Sequence, residues 1–109
     1  GNVRVNGSLL ANGESYIDAD GGGSGGTIQI VCLGLQGTGE IQANGGAGHA
    51  SYSGGGGGGR IALQRVPETS TYSGTPLASG GPGYSNGAPG TIVWIDAVNP
   101  GAAILIQFL

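Results

Sequence analysis

A short strand-like phrase, a glycine tract and a second strand-like phrase recur three times along the chain at nearly constant spacing. The first phrase reads Gly7-Ser-Leu-Leu-Ala-Asn-Gly13, then Gly39-Glu-Ile-Gln-Ala-Asn-Gly45, then, weakened, Gly74-Thr-Pro-Leu-Ala-Ser-Gly80. The second reads Gly26-Thr-Ile-Gln-Ile30, Gly59-Arg-Ile-Ala-Leu63 and Gly90-Thr-Ile-Val-Trp94. Ala11, Ala43 and Ala78 are 32 and 35 residues apart, and Ile28, Ile61 and Ile92 are 33 and 31 apart. Periods of about 20 to 50 residues mark arrays in which each repeat buries its apolar face against a neighbour. The expected fold is all-β, a single glycine-rich domain over residues 1–109. It is a β-solenoid-like stack of about three repeats (approximately 7–38, 39–73 and 74–95) with extended polyglycine segments and a C-terminal apolar strand at 102–109. An antiparallel β-sandwich with glycine-rich loops fits the same short strands and is the alternative.

Glycine at this level usually signals disorder when it lacks a period, but the 27 glycines here recur in register with the strand phrases. Net charge is only −3, too little self-repulsion to hold the chain open. Three arginines and no lysine leave no basic stripe for a phosphate backbone, which excludes nucleic acid as a partner. The longest apolar run, Ala102–Ile106 continuing to Leu109, falls far short of the ~20 residues that cross a bilayer, so no membrane insertion is expected. With no methionine and no signal-peptide pattern, the chain reads as a processed form or a piece of something longer.

The pattern predicts strands at 2–5, 8–11, 27–33, 40–43, 60–66, 75–78, 91–97 and 102–109. Residues 91–95 and 102–109 are apolar at successive positions and read as buried on both faces. The intervening glycine tracts are either flexible loops or ordered polyproline-II-type segments packed backbone to backbone, and their register with the strands favours order. The Ala-Asn-Gly phrases read as turns, in which Asn12, Asn44 and Ser79 would lie one above another as a side-chain ladder.

Catalytic and metal-binding constellations are missing from the pattern. Gly21-Gly-Gly-Ser-Gly-Gly26 satisfies GxGxxG formally but leads into a strand rather than a helix. His49 is the sole histidine and reads as a solvent-facing or backbone-bonded loop residue; Cys32, the sole thiol, reads as buried and inert. Asp18 and Asp20 before a glycine are a weak calcium candidate, short of a full ligand set. No cofactor and no enzymatic activity are expected. Asn6-Gly7-Ser8 matches a glycosylation acceptor, and 69–73 between two prolines is a candidate for O-linked sugar. Trp94 and Phe108 read as core or interface anchors. Tyr16, Tyr52 and Tyr84 each follow an Ala-Asn/Ser-Gly phrase and are candidate ligand-facing residues on one face of the stack.

The run Gly39-Glu-Ile-Gln-Ala-Asn-Gly-Gly46 with Gly54–Gly59-Arg-Ile-Ala-Leu63 resembles a glycine-rich repeat of large extracellular and cell-surface structural or adhesin-like proteins, of parallel β-helix type. The likeness covers about residues 7–95. A fainter one is to glycine-rich phage tail-tip adhesins and antifreeze proteins, from which this chain departs in its long β-branched strands. The resemblance implies an extracellular or cell-surface location and a structural or adhesive role, and it transfers no catalytic residue. The expected function is a secreted structural subunit that self-assembles with copies of itself into a fibre or surface layer, with Val3, Val5, Ile104, Ile106 and Phe108 as the assembly interface. The alternative is an adhesin or glycan-binding module of a larger surface protein, with ice binding as a minor variant.

Overall fold

Residues 27–31 and 91–96 concentrate the β-branched side chains that suit a pleated, half-buried surface, and with 60–65, which carries Ile61 and Leu63 between them, they form the longest strands. The computed structural model, which describes residues 1–18 and 20–98, is all-β. Its strands are β1 (Asn2–Arg4), β2 (Ser8–Leu10), β3 (Thr27–Val31), β4 (Gly34–Gln36), β5 (Glu40–Gln42), β6 (Arg60–Arg65) and β7 (Thr91–Asp96). The only helical element among the described residues is a short 3-10 turn, Pro67–Thr69.

Each strand pairs with its counterpart one repeat away, and every pairing among the described residues is parallel: β1 with β4, β2 with β5, and β3 with β6 with β7. The register sets Ile28 beside Ile61 beside Ile92, and Ile30 beside Leu63 beside Trp94. A slip of one residue would turn each of these side chains to the opposite face, so the apolar pattern fixes the register. The antiparallel sandwich is thereby overturned, since its neighbouring strands run in opposite directions. The third repeat also departs from expectation. Where a strand is predicted at 75–78, a single parallel bridge joins Gln42 to Leu77: Leu77 N–H donates to Ile41 O (2.9 Å) and Leu77 O accepts from Ala43 N–H (2.8 Å), while Gly39 O, the next acceptor along β5, accepts from the Tyr72 hydroxyl (2.8 Å).

The glycine tracts are ordered. Segments 11–16, 43–48 and 78–83 form one row, and 21–26, 54–59 and 85–90 form a second row beside it. Within the first row, Gly13 N–H donates to Asn44 O (2.7 Å), Tyr16 to Ala47 O (2.7 Å), Gly45 to Ser79 O (2.8 Å) and Gly48 to Pro82 O (2.8 Å). In the second, Gly22 donates to Gly54 O (3.0 Å), Gly25 to Gly57 O (2.9 Å), Gly55 to Ser85 O (2.8 Å) and Gly58 to Ala88 O (2.9 Å). Donors recur every third residue, the period of a polyproline-II helix. Antiparallel bonds tie row to row: Gly46 to Gly23 O (2.8 Å), Gly56 to Gly46 O (2.9 Å) and Gly81 to Gly56 O (2.8 Å). No glycine of these tracts has positive φ, so glycine is used here for closeness rather than handedness. A Cβ on Gly45, Gly46, Gly56 or Gly81 would lie closer than 3.0 Å to a neighbouring backbone carbonyl.

The apolar core lies between the strands and is densest in the middle repeat. Leu35, Ile41, Ala43, Ile61 and Leu63 are fully buried, each large side chain contributing about 1.5–3 kcal/mol. Exposure along one row runs from 8% at Ile28 through 0% at Ile61 to 38% at Ile92. The expectation that residues 91–95 are buried on both faces is therefore overturned: β7 ends the described sheet, and no described strand covers its outer edge. Val5 corrects the expected assembly interface, because its side chain is buried in the core and Val3 packs half-buried against it. Ile104, Ile106, Phe108 and the strand expected at 102–109 lie outside the described residues.

Candidate functional site

Two places combine exposed apolar or aromatic side chains with a rigid support: the turns that join the two glycine rows, and strand β7. Both follow from the repeat, since the rows hold the turns level and the register carries β7 to the edge.

At the turns, Asp18 takes a left-handed conformation (φ 57°) that reverses the chain between 11–16 and 21–26. The second turn is built around His49. Its carbonyl accepts from Tyr52 N–H (3.2 Å), Ser53 N–H (3.1 Å) and Tyr84 N–H (3.2 Å), and its Nδ1 accepts from Ser51 N–H (3.0 Å). Ser53 Oγ accepts from His49 N–H (2.7 Å) and donates to Asp20 O (2.7 Å), so this one turn ties all three repeats together. The His49 ring meets Tyr16 edge-on at 5.3 Å and lies over Tyr52 at 4.5 Å with a 31° tilt. The expected tyrosine row is thus interrupted: Tyr16 and Tyr52 sit on either side of His49, and Tyr84 joins the same turn through its backbone. All three tyrosines are exposed. Sequence reading placed the tyrosines but gave His49 no role, because only the turn hydrogen bonds bring its ring between them. His49 is backbone-bonded, as expected of it.

Asp18 and Asp20 are exposed, and the described residues hold no group of three or more His, Cys, Asp or Glu side chains able to hold a metal ion. A depression of about 220 Å³ beside them is lined by Glu14, Ser15, Ile17, Asp20, Gly21 and Gly23. Cys32 is buried, its thiol donating to Gln64 O at 3.7 Å. Asn6 is exposed in the bend between β1 and β2.

The ladder exists in a form the sequence did not show. Asn12 Oδ1 accepts from Asn44 N–H (2.8 Å), and Asn44 Oδ1 accepts from Ser79 N–H (2.9 Å). Both amide groups also reach Gln42 Oε1, at 3.3 and 3.4 Å. Each asparagine therefore satisfies a backbone donor of the next repeat, rather than stacking amide on amide. The reading of these phrases as turns is corrected, since Asn12 and Asn44 lie in extended segments without positive φ.

At β7, the inward row ends in Trp94, whose ring lies 4.4 Å from the Arg65 guanidinium carbon and 6.4 Å from the Tyr72 ring. Arg65 Nε reaches Asp96 Oδ1 at 3.5 Å, an exposed pair worth little by itself. Ile92, Trp94, Ile95 and Val98 are all more than a third exposed. Tyr72 is buried opposite, its hydroxyl donating to Gly39 O at 2.8 Å, and burial raises its pKa.

No family model matches the chain, and no curated protein and no solved structure matches it.

Proposed function

We propose that the chain is a structural subunit of an extracellular fibre or surface layer, folded as a solenoid-like stack of three repeats and associating with copies of itself through the apolar strand of the third. The observation that carries this reading is the gradient of burial along the stack. The core side chains of the middle repeat, Ile41, Ile61 and Leu63, are fully buried, while Ile92, Trp94, Ile95 and Val98 are exposed on and just after β7, whose outer edge no described strand covers. Such an edge is a template for further strand pairing. The nine charged residues of the chain oppose association weakly. Ile95 is 43% exposed, so Ile95→Asp should spare the fold while placing a charge in the contact. Sedimentation velocity at micromolar concentration is expected to show assemblies for the natural chain and monomers for the variant; monomers for both would refute the reading.

A second reading rests on the turn cluster. Exposed tyrosines braced on a rigid turn present flat apolar faces with a polar rim, suited to stacking on a sugar ring. A glycan array with the natural chain and with Tyr52→Ala tests it. Binding lost in the variant supports an adhesive role, and no binding by the natural chain removes it.

A further inference from the structure

In the glycine half, contacts between successive repeats pass through α-carbons that lack room for a side chain. A Cβ on Gly22 would strike Gly46 O of the next repeat, and one on Gly55 would strike Gly81 O. Likewise a Cβ on Gly25 would strike Ala43 O and one on Gly58 would strike Ala78 O. The strand register Thr27↔Arg60↔Thr91 carries these two positions into the third repeat as Asn86 and Pro89. Each therefore points a side chain into the space a fourth repeat would fill. Both are exposed. Pro89 also removes a donor, since Gly25 and Gly58 at that position give their N–H to the following repeat. Gly83, whose counterpart Gly48 donates to Pro82 O, instead donates to Asn86 Oδ1 at 3.3 Å.

The opposite end follows the same logic. A Cβ on Gly81 would strike Gly46 O, and one on Gly46 would strike Glu14 O, each pointing back to the preceding repeat. In the first repeat that position is Glu14, exposed and charged. At the third-repeat end both forward-facing positions exchange glycine for a side chain, and at the first-repeat end position 14 does so while Gly23 and Gly26 remain glycine.

We propose that Glu14 at one end and Asn86 with Pro89 at the other close the glycine bundle at six segments, so that no further glycine-repeat coil, from a second copy of this chain above all, can be added to it. This deepens the structural reading by restricting its geometry. Copies that meet through β7 do so with their glycine bundles out of line, since coaxial stacking drives Asn86 and Pro89 of one copy into segment 11–16 of the next.

The test opens the ends. Asn86→Gly/Pro89→Gly exposes a bare third-repeat face and Glu14→Gly a bare first-repeat face, both in the Ile95→Asp background that silences the β7 contact. Each opened chain retains one cap and is expected to stay monomeric alone, while an equimolar mixture forms a one-to-one heterodimer at least tenfold tighter than any self-association. The chain carrying all three glycine substitutions is expected to form linear coaxial chains by cryo-electron microscopy. Circular dichroism and cooperative urea unfolding establish that each variant folds, and the heterodimer arm keeps the test decisive should the triple variant fail to fold. Folded partners that ignore one another, or coaxial stacks formed by the natural chain, would overturn the proposal. Monomers for the natural chain, with the mixture still pairing, would refute only the self-association reading.

Discussion

Gly56 is buried at the centre of the glycine bundle and gives the sharpest test of its packing. In Gly56→Ala the new Cβ meets the Gly23 carbonyl group below 3.0 Å, with Gly22 O at 2.9 Å beyond it. All three contacts are rigid backbone atoms, so no side chain can swing aside. Segments 21–26 and 54–59 must separate by roughly 1 Å to restore ordinary contact distance. That stretches the bonds from Gly22 to Gly54 O (3.0 Å) and from Gly25 to Gly57 O (2.9 Å) past the useful range of about 3.2 Å. Losing two net hydrogen bonds costs about 1–3 kcal/mol, and overpacking adds about 1–3. The stiffer unfolded chain returns about 0.4–1. The expected destabilisation is about 2–4 kcal/mol, read in urea as a midpoint lowered by about 1–2 M. The neighbouring Gly57→Ala is the control, because its Cβ meets only Ala88 O at an ordinary 3.8 Å, and its midpoint should stay within about 0.5 M of the natural chain. Equal midpoints for the two variants would refute the argument that backbone closeness selects glycine.

The asparagine ladder and the buried tyrosine yield further expectations. Asn44→Ala strands the Ser79 N–H and removes the bond to Gln42, and should cost about 1–2 kcal/mol in urea unfolding, whereas Asn44→Asp keeps the acceptor and should recover part of it. Ile61→Ala opens a cavity at a fully buried site in the middle repeat and should cost about 2–5 kcal/mol by the same assay. Burial raises the Tyr72 pKa above its unfolded value near 10, so its neutral form is favoured in the folded chain. Its contribution to stability is then fully present below about pH 10 and is lost as pH rises through the folded value. Stability measured from pH 8 upward should fall more steeply for the natural chain than for Tyr72→Phe, and identical slopes would count against this assignment.

Much of the architecture was legible because side-chain period and repeat period coincide. Ile28, Ile61 and Ile92 pair in the register their spacing implies, and Asn12, Asn44 and Ser79 fall one above another. Local composition failed where position in the stack decides the outcome. Residues 91–95 are as apolar as a core strand, yet Ile92 and Trp94 are exposed because burial depends on a neighbour rather than on their own sequence. Strand β4 begins at a glycine and is a strand only by pairing with β1, a contact no local propensity records. The strand expected at 75–78 shrinks to one bridge where the Tyr72 hydroxyl takes Gly39 O, a side-chain contact that the local pattern does not record. The turn cluster was half legible, since its tyrosines recur with the repeat while His49 enters through a backbone geometry set by Ser51 and Ser53.

Ordered glycine is the claim on which the rest depends, and amide hydrogen exchange followed residue by residue by NMR tests it most directly. Gly45, Gly46, Gly48, Gly55, Gly56 and Gly58 all donate to backbone carbonyls of neighbouring segments and should exchange orders of magnitude more slowly than a flexible chain, in step with the strand amides of β6. Exchange of these six glycines at the rate of an unstructured peptide, with β6 still protected, would show flexible loops on a sheet and contradict the bundle, its caps and the stack built on it.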